Sequence, residues 1–174
     1  MADEIYGKLG IISMPGCDTL SGKVDTYLTE WREAEEDTFV IPSVCPRFGS
    51  GEAKALIKHT VRGYDLFIIS DCFNYSVTYK MYDLKDAVGK PLQVPMSPDD
   101  HYCDLKRTIA AIAGKARRIT VIMPMLYEGR QHKRSGRESL DCAMMLQELM
   151  RLGVSNLITF DAHDPRVQNA IPLN

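Results

Sequence analysis

Short apolar runs alternate along this chain with stretches in which apolar residues recur every three or four positions, the pattern of strands alternating with amphipathic helices. Leu9-Gly10-Ile11-Ile12-Ser13 is the first run, closed by Pro15-Gly16. Leu20, Val24, Leu28 and Trp31 then mark one face of a helix, with Asp18 or Thr19 placed near its start. Thr38-Phe39-Val40-Ile41 reads as a second strand. Pro46-Arg47-Phe48-Gly49-Ser50-Gly51 is a turn, and Ala53, Leu56 and Ile57 continue as an extended ribbon to His59. Leu66-Phe67-Ile68-Ile69-Ser70 is continuously apolar, as expected for a strand covered on both faces.

Tyr102, Leu105, Ile109 and Ile112 mark a second helix, with caps and early acidic charge from residues 97–100. Residues 118–123 form a strand. Leu140, Ala143, Met144, Leu149 and Leu152 mark a helix whose pattern starts near Glu138 and stops at Gly153. Asn156-Leu157-Ile158-Thr159-Phe160 is the last strand. Residues 71–98 are less regular and read as a surface excursion with a short helix near residues 79–88. The order predicts an α/β fold with three αβα layers: a mostly parallel sheet with helices on both faces, plus a small antiparallel hairpin at the Phe48 turn. Only residues 165–174 follow the last strand, with no crossover helix, so one domain of a longer protein is expected.

Composition narrows the class. At 174 residues, 45% hydrophobic and 25% charged, the chain suits one globular domain that needs no disulfides. A net charge of −2 provides no general basic field for nucleic acid. Mean hydropathy is −0.18, and no apolar run approaches the roughly 18–20 residues of a membrane span. The acidic start has no signal-peptide core. The five scattered cysteines, without a C-x-x-C spacing, read as reduced core thiols of a cytoplasmic protein and not as a zinc site. His59 and His101 read as surface residues.

Chemistry concentrates where strands end. The strand at residues 118–123 runs into Arg130-Gln131-His132-Lys133-Arg134, a cationic loop ahead of a helix, where backbone N–H groups favour anions. Arg130, Lys133, Arg134 and Arg137 can bond phosphate, and Gln131 offers both a donor and an acceptor. The last strand delivers Asp161-Ala162-His163-Asp164. In an extended segment Asp161 and His163 point the same way, and a carboxylate with an imidazole suits a divalent cation. Ligands of open α/β sheets sit beyond such strand ends, so a phosphorylated ligand with a metal is expected there. The Phe48 turn permits close backbone approach at its glycines, with Phe48, Ser50 and Glu52 able to meet a base. Neither a P-loop nor a Rossmann glycine motif occurs.

These segments resemble those of the ribose-phosphate pyrophosphokinases, also called phosphoribosyl pyrophosphate synthetases. Arg47-Phe48-Gly49-Ser50-Gly51-Glu52 is similar to that family's Phe-x-(Asp/Asn)-x-Glu turn, and Val61-Arg62-Gly63-Tyr64-Asp65 to its Val-Arg-Gly-x-Asp strand start. Arg118-Ile119-Thr120-Val121-Ile122, Arg130-Gln131 and Asp161-Ala162-His163 resemble its remaining N-terminal motifs. The resemblance implies a phosphoribosyltransferase-like fold and transfer of pyrophosphate from ATP to ribose 5-phosphate. By position, Phe48, Ser50 and Glu52 would hold adenine, reaching into a neighbouring subunit of a homo-oligomer. Arg130 and Gln131 would contact ATP, His163 would bind Mg2+, and Lys133, Arg134 and Asp161 are further phosphate or loop contacts. The family's catalytic basic loop and acidic ribose-phosphate loop belong to its second half, so no catalytic residue is assigned and this chain alone is expected to be inactive. Glu128 stands for a usual aromatic, His132 for a usual acid, Ser50 for Asp or Asn, and Asp164 for a small residue. Together they suggest a divergent member, and those at Glu128 and His132 support an alternative, a non-catalytic regulatory paralogue.

Overall fold

The computed structural model describes residues 6–32 and 38–171. Four parallel strands form the central sheet: β1 (Lys8–Ser13), β4 (Tyr64–Ile69), β7 (Arg118–Ile122) and β8 (Asn156–Ile158), in the spatial order β1-β4-β7-β8. Alternation sorts their side chains into two layers. Ile12, Leu66, Ile68, Ile119 and Val121 pack beneath α2 (Pro98–Ile112) and α3 (Asp141–Arg151), in one core with Leu105, Ile109, Met145 and Leu149. Ile11 and Ile69 point the other way, towards Cys17, Phe39 and the half-buried Val24 and Leu28 of α1 (Asp18–Trp31). The expected three layers and parallel sheet are therefore present. Among the described residues no helix is long and apolar enough to cross a membrane.

The second helix follows its sequence pattern. Ser97 caps α2 by accepting from Asp100 N, while the Asp100 side chain accepts from Ser97 N. Tyr102, Leu105, Ile109 and Ile112 are all buried, and Ala113 closes the helix at φ 53°. The first helix is rotated from its expected face. Leu20 and Trp31 are 44% and 78% exposed, whereas Cys17 and Ser21 are buried. The sheet-facing line is Cys17, Ser21, Val24 and Leu28, because small side chains let α1 approach the sheet closely. The expected strand at residues 38–41 shrinks to a parallel bridge between Val40 and Ile11. Pro42 has no N–H with which to continue the ladder.

Residues 71–98 depart most from expectation. The helix expected near residues 79–88 is instead a hairpin of β5 (Thr78–Lys85) and β6 (Pro91–Pro95). Its turn is held by Asp86 Oδ1, which accepts from Val88 N at 3.0 Å and Lys90 N at 2.9 Å. Met96 N donates to Val77 O at 2.8 Å and closes the neck. The smaller ribbon of β2 (Ser43–Val44) and β3 (Leu56–Ile57) carries the Phe48 turn, as expected.

His101 is not a surface residue: it is 2% exposed, with Nε2 2.9 Å from Asn74 O, because it faces inward from the first turns of α2. His59 is exposed as expected. All five cysteines are free thiols. Burial pushes Cys17 up to about 11 and Cys72 up to about 12, so these two are inert core residues. In place of a crossover helix, a 3-10 helix (Pro165–Ala170) follows β8 and packs on α3; residues 172–174 lie outside the described part.

Candidate functional site

Beyond the carboxyl ends of β7 and β8 the two chains stay side by side. Met123 N donates to Ile158 O at 2.8 Å, and Leu126 N to Asp161 O at 2.9 Å. Met125 and Asp161 form a parallel bridge past the regular ladder. The strand pair thus delivers two loops to one place. Tight turns follow on the first: Gly129 N bonds Leu126 O at 3.1 Å, and Gln131 N bonds Glu128 O at 3.0 Å. A side chain at Gly129 would meet the Leu126 carbonyl at 3.0 Å. Glu128 sits at φ 58°, a left-handed conformation that costs a non-glycine residue about 1–2 kcal/mol.

These loops border a cavity of about 450 Å³. Arg130 comes to its lining from the loop after β7, and Asp161 and His163 from the segment after β8. Phe73, Tyr75 and Pro98 supply apolar surface, and Asp99, Tyr127 and Glu128 add polar groups. Tyr127 donates a 2.6 Å hydrogen bond to Asp99 Oδ1 and stacks on Tyr102 with ring centroids 4.7 Å apart. Burial and the Asp99 bond both push the Tyr127 phenol up, so it remains a donor. Burial also raises the Glu128 carboxyl above its ordinary range, and the charges of Asp141 and Asp99 add to this.

The structure sorts the candidate residues. Arg130, Asp161 and His163 converge on the cavity, by a route the sequence does not indicate. The segment is a turn and not an extended strand: Asp161 Oδ1 accepts from His163 N at 3.1 Å, and His163 is at φ 58°. Gln131 is turned onto its own loop, donating to Ser139 O at 2.8 Å and Lys133 O at 3.2 Å. Lys133, Arg134 and Arg137 are exposed and do not line the cavity. The helix does not begin near Glu138 either. It opens at Asp141, which borders a separate groove with Tyr102, Met144 and Glu148.

Phe48, Ser50 and Glu52 lie apart from this cavity. Their turn is closed by Phe48 N to Glu52 O at 2.7 Å and Gly51 N to Phe48 O at 3.0 Å, with Gly51 at φ 94°. Ser50 Oγ donates to Glu52 Oε2 at 2.9 Å, and Phe48 is 52% exposed. The turn leans on the hairpin through Asp83 N to Gly49 O at 3.1 Å.

Phe73, Asp99 and Tyr127 line the cavity without a sequence signal that marks them as site residues. Asp99 has the sequence appearance of first-turn helix charge, and nothing local marks its bond to Tyr127. With one guanidinium, three carboxylates and an imidazole, the cavity wall is not a simple anion trap. It suits an anion whose charge is offset by a cation. Among the described residues no group of three or more His, Cys, Asp or Glu is placed to hold a metal alone. The donor set of Asp161 and His163 therefore fits a divalent ion that shares its coordination with a ligand's phosphates and water.

A sequence profile for the N-terminal domain of ribose phosphate pyrophosphokinase matches residues 9–153. Among curated proteins, the ribose-phosphate pyrophosphokinase of Parasynechococcus marenigrum is 28% identical over 129 residues, covering 73% of this chain and 32% of the relative. That of Mycobacterium leprae is 28% identical over 151 residues, covering 85% and 39%. The chain thus spans well under half the length of these relatives. The crystal structure of phosphoribosylpyrophosphate synthetase from Mycobacterium smegmatis superposes with a TM-score of 0.70 at 21% identity, over 94% of this chain and 46% of that one, which establishes the shared fold. On the strength of the profile match, this chain belongs to the ribose phosphate pyrophosphokinase family, within its N-terminal domain.

Proposed function

We propose that this chain is the ATP-binding and oligomerising part of a cytoplasmic ribose-phosphate diphosphokinase, which moves the pyrophosphoryl group of ATP to the C1 hydroxyl of ribose 5-phosphate. The observation that carries this reading is that Arg130, Asp161 and His163 line one cavity at the ends of adjacent strands. Arg130 is exposed and has no ion-pair partner among the described residues, leaving its donors available to phosphate. Asp161 and His163 would hold Mg2+, which would neutralise phosphate charge and orient the chain of phosphates. The rings of Phe73 and Tyr75 line one part of the cavity. Phe48, Ser50 and Glu52, placed away from this cavity, would serve adenine in the site of a second subunit of a homo-oligomer. Free thiols support a reducing compartment.

The regulatory alternative is favoured by one feature. Glu128 places a further carboxylate in the cavity, which opposes a nucleotide. Calorimetric titration of the protein with ATP and Mg2+ tests the main reading. Saturable binding is expected, and Arg130→Ala should weaken it by roughly tenfold or more, the loss of a hydrogen bond between charged groups. Absence of binding, or indifference to Arg130→Ala, would remove the proposal. Binding without formation of phosphoribosyl pyrophosphate by the full-length protein would favour the regulator.

A further inference from the structure

We propose that His132 and Asp164 form a clasp that holds Arg130 and His163 in register across the cavity, making His132 a positioning residue. This deepens the nucleotide reading above and rests on it for its consequence. The loop from Lys133 to Ser139 is exposed throughout, yet the His132 side chain is only 9% exposed. Its Nε2 lies 3.2 Å from Asp164 Oδ2, and its ring is tilted against that of His163, with centroids 5.5 Å apart. Arg130 stands two positions before His132, and His163 immediately precedes Asp164. A contact between His132 and Asp164 therefore ties the loop after β7 to the segment after β8, next in sequence to side chains that line the cavity.

Each half of the clasp is anchored. Asp164 Oδ1 accepts from Arg166 N and Nε, both at 2.9 Å, and Oδ2 accepts from Arg166 Nη2 at 2.6 Å. Asp164 also caps the 3-10 helix that packs on α3. On the other side, Cys142 N of α3 donates to the Gln131 carbonyl at 3.3 Å, just before His132. The geometry runs against simple solvation. Among the described residues His132 Nδ1 is buried without a hydrogen-bond partner, an unfavourable arrangement that rotation into water would relieve.

A double-mutant cycle tests this with two readouts: ATP affinity in the presence of Mg2+, and backbone hydrogen exchange without ligand. The variants are His132→Phe, which keeps a buried ring, Asp164→Ala, the pair together, and His132→Gln, whose amide nitrogen takes the place of Nε2 and can still donate to Asp164. Each of the first two should weaken ATP binding by roughly five- to tenfold, the double no further than either single, and His132→Gln should stay within about twofold of the parent. Without ligand, His132→Phe should speed exchange at residues 161–164, and Asp164→Ala at residues 130–133, with α2 and β4 unchanged. Additive affinity losses, or exchange changes confined to the mutated loop, would overturn the clasp. A parent that binds no ATP but shows the cross-loop exchange effects would remove the nucleotide reading and keep the clasp. ATP binding indifferent to every variant would do the reverse.

Discussion

Arg47 donates a 2.7 Å hydrogen bond from Nη2 to Asp104 Oδ2, and the two side chains are 10% and 1% exposed. Arg107 reaches the other carboxylate oxygen at 2.7 Å. The Arg47 guanidinium also lies 4.6 Å over the Tyr79 ring and reaches the Gly51 carbonyl at 3.4 Å. One side chain thereby fastens the Phe48 turn to both α2 and β5. Burial pushes the Asp104 carboxyl up, and Arg47 and Arg107 pull it back.

Asp104→Ala would leave the shielded Arg47 charge without its partner. Breaking a buried pair from one side costs about 3–5 kcal/mol. The urea midpoint should fall accordingly with an unchanged slope. A loss under about 1 kcal/mol would show that the pair does not clamp the turn.

Phe48 contributes little to the core, so Phe48→Ala should change stability by no more than about 0.5 kcal/mol. If its ring stacks on adenine, the Michaelis constant for ATP of the proposed diphosphokinase should rise roughly tenfold. Because the turn does not line the Arg130 cavity, mixing full-length Phe48→Ala and Arg130→Ala proteins should regain activity through hybrid sites. A mixture no more active than its components would place the turn outside any shared site.

Glu128 provides a pH signature. Its raised pKa means that it loses its charge at a higher pH than an ordinary carboxylate as the solution is acidified. ATP is an anion, so affinity should be greater below that pKa and fall as pH rises through it. Glu128→Gln should remove this limb and tighten ATP binding by roughly threefold near neutrality. Titrating parent and variant side by side from about pH 5 to about pH 8 cancels the ionisation of ATP itself. Parallel curves would exclude a Glu128 contribution.

The hairpin should be separable from the sheet. Its neck is closed by the Met96–Val77 bond, so a short glycine link could replace residues 78–95. The four-stranded sheet should still fold, with the melting temperature lowered by about 2–4 °C for each kcal/mol of lost packing. The Phe48 turn should loosen, since the Asp83–Gly49 bond disappears. Loss of cooperative melting would show that the hairpin belongs to the core.

The central strands and α2 were legible because continuous apolar runs and a phased cap leave few alternatives. The hairpin was not. Tyr79 and Met81 alternate with Lys80 and Tyr82 at the period of a strand, and the register pairs Tyr79 with Val94 and Met81 with Leu92. Pro91 and Pro95 obscured that reading, although proline is tolerated at the ends of an edge strand. For α1, the stripe through Leu20 and Trp31 looked apolar, but packing selected the line with Ser21. At the site, Arg130, Asp161 and His163 stood out because they follow strand ends. Asp99 and Phe73 arrive from elsewhere in the chain, and the inward turn of His132 depends on a partner that only the folded chain supplies.

The bridge between Met125 and Asp161 acts as a gauge. Neighbouring strands sit about 4.8 Å apart whatever side chains they carry, so substitutions in either loop can retune charge without altering the width at which the walls begin. Length is less forgiving. One residue added between β7 and Met125, or between β8 and Asp161, would slide one wall along the other by about 3.3 Å. The hairpin of β5 and β6 lies outside both loops, so a change in its length would leave that gauge untouched and Arg130 and His163 still lining one cavity.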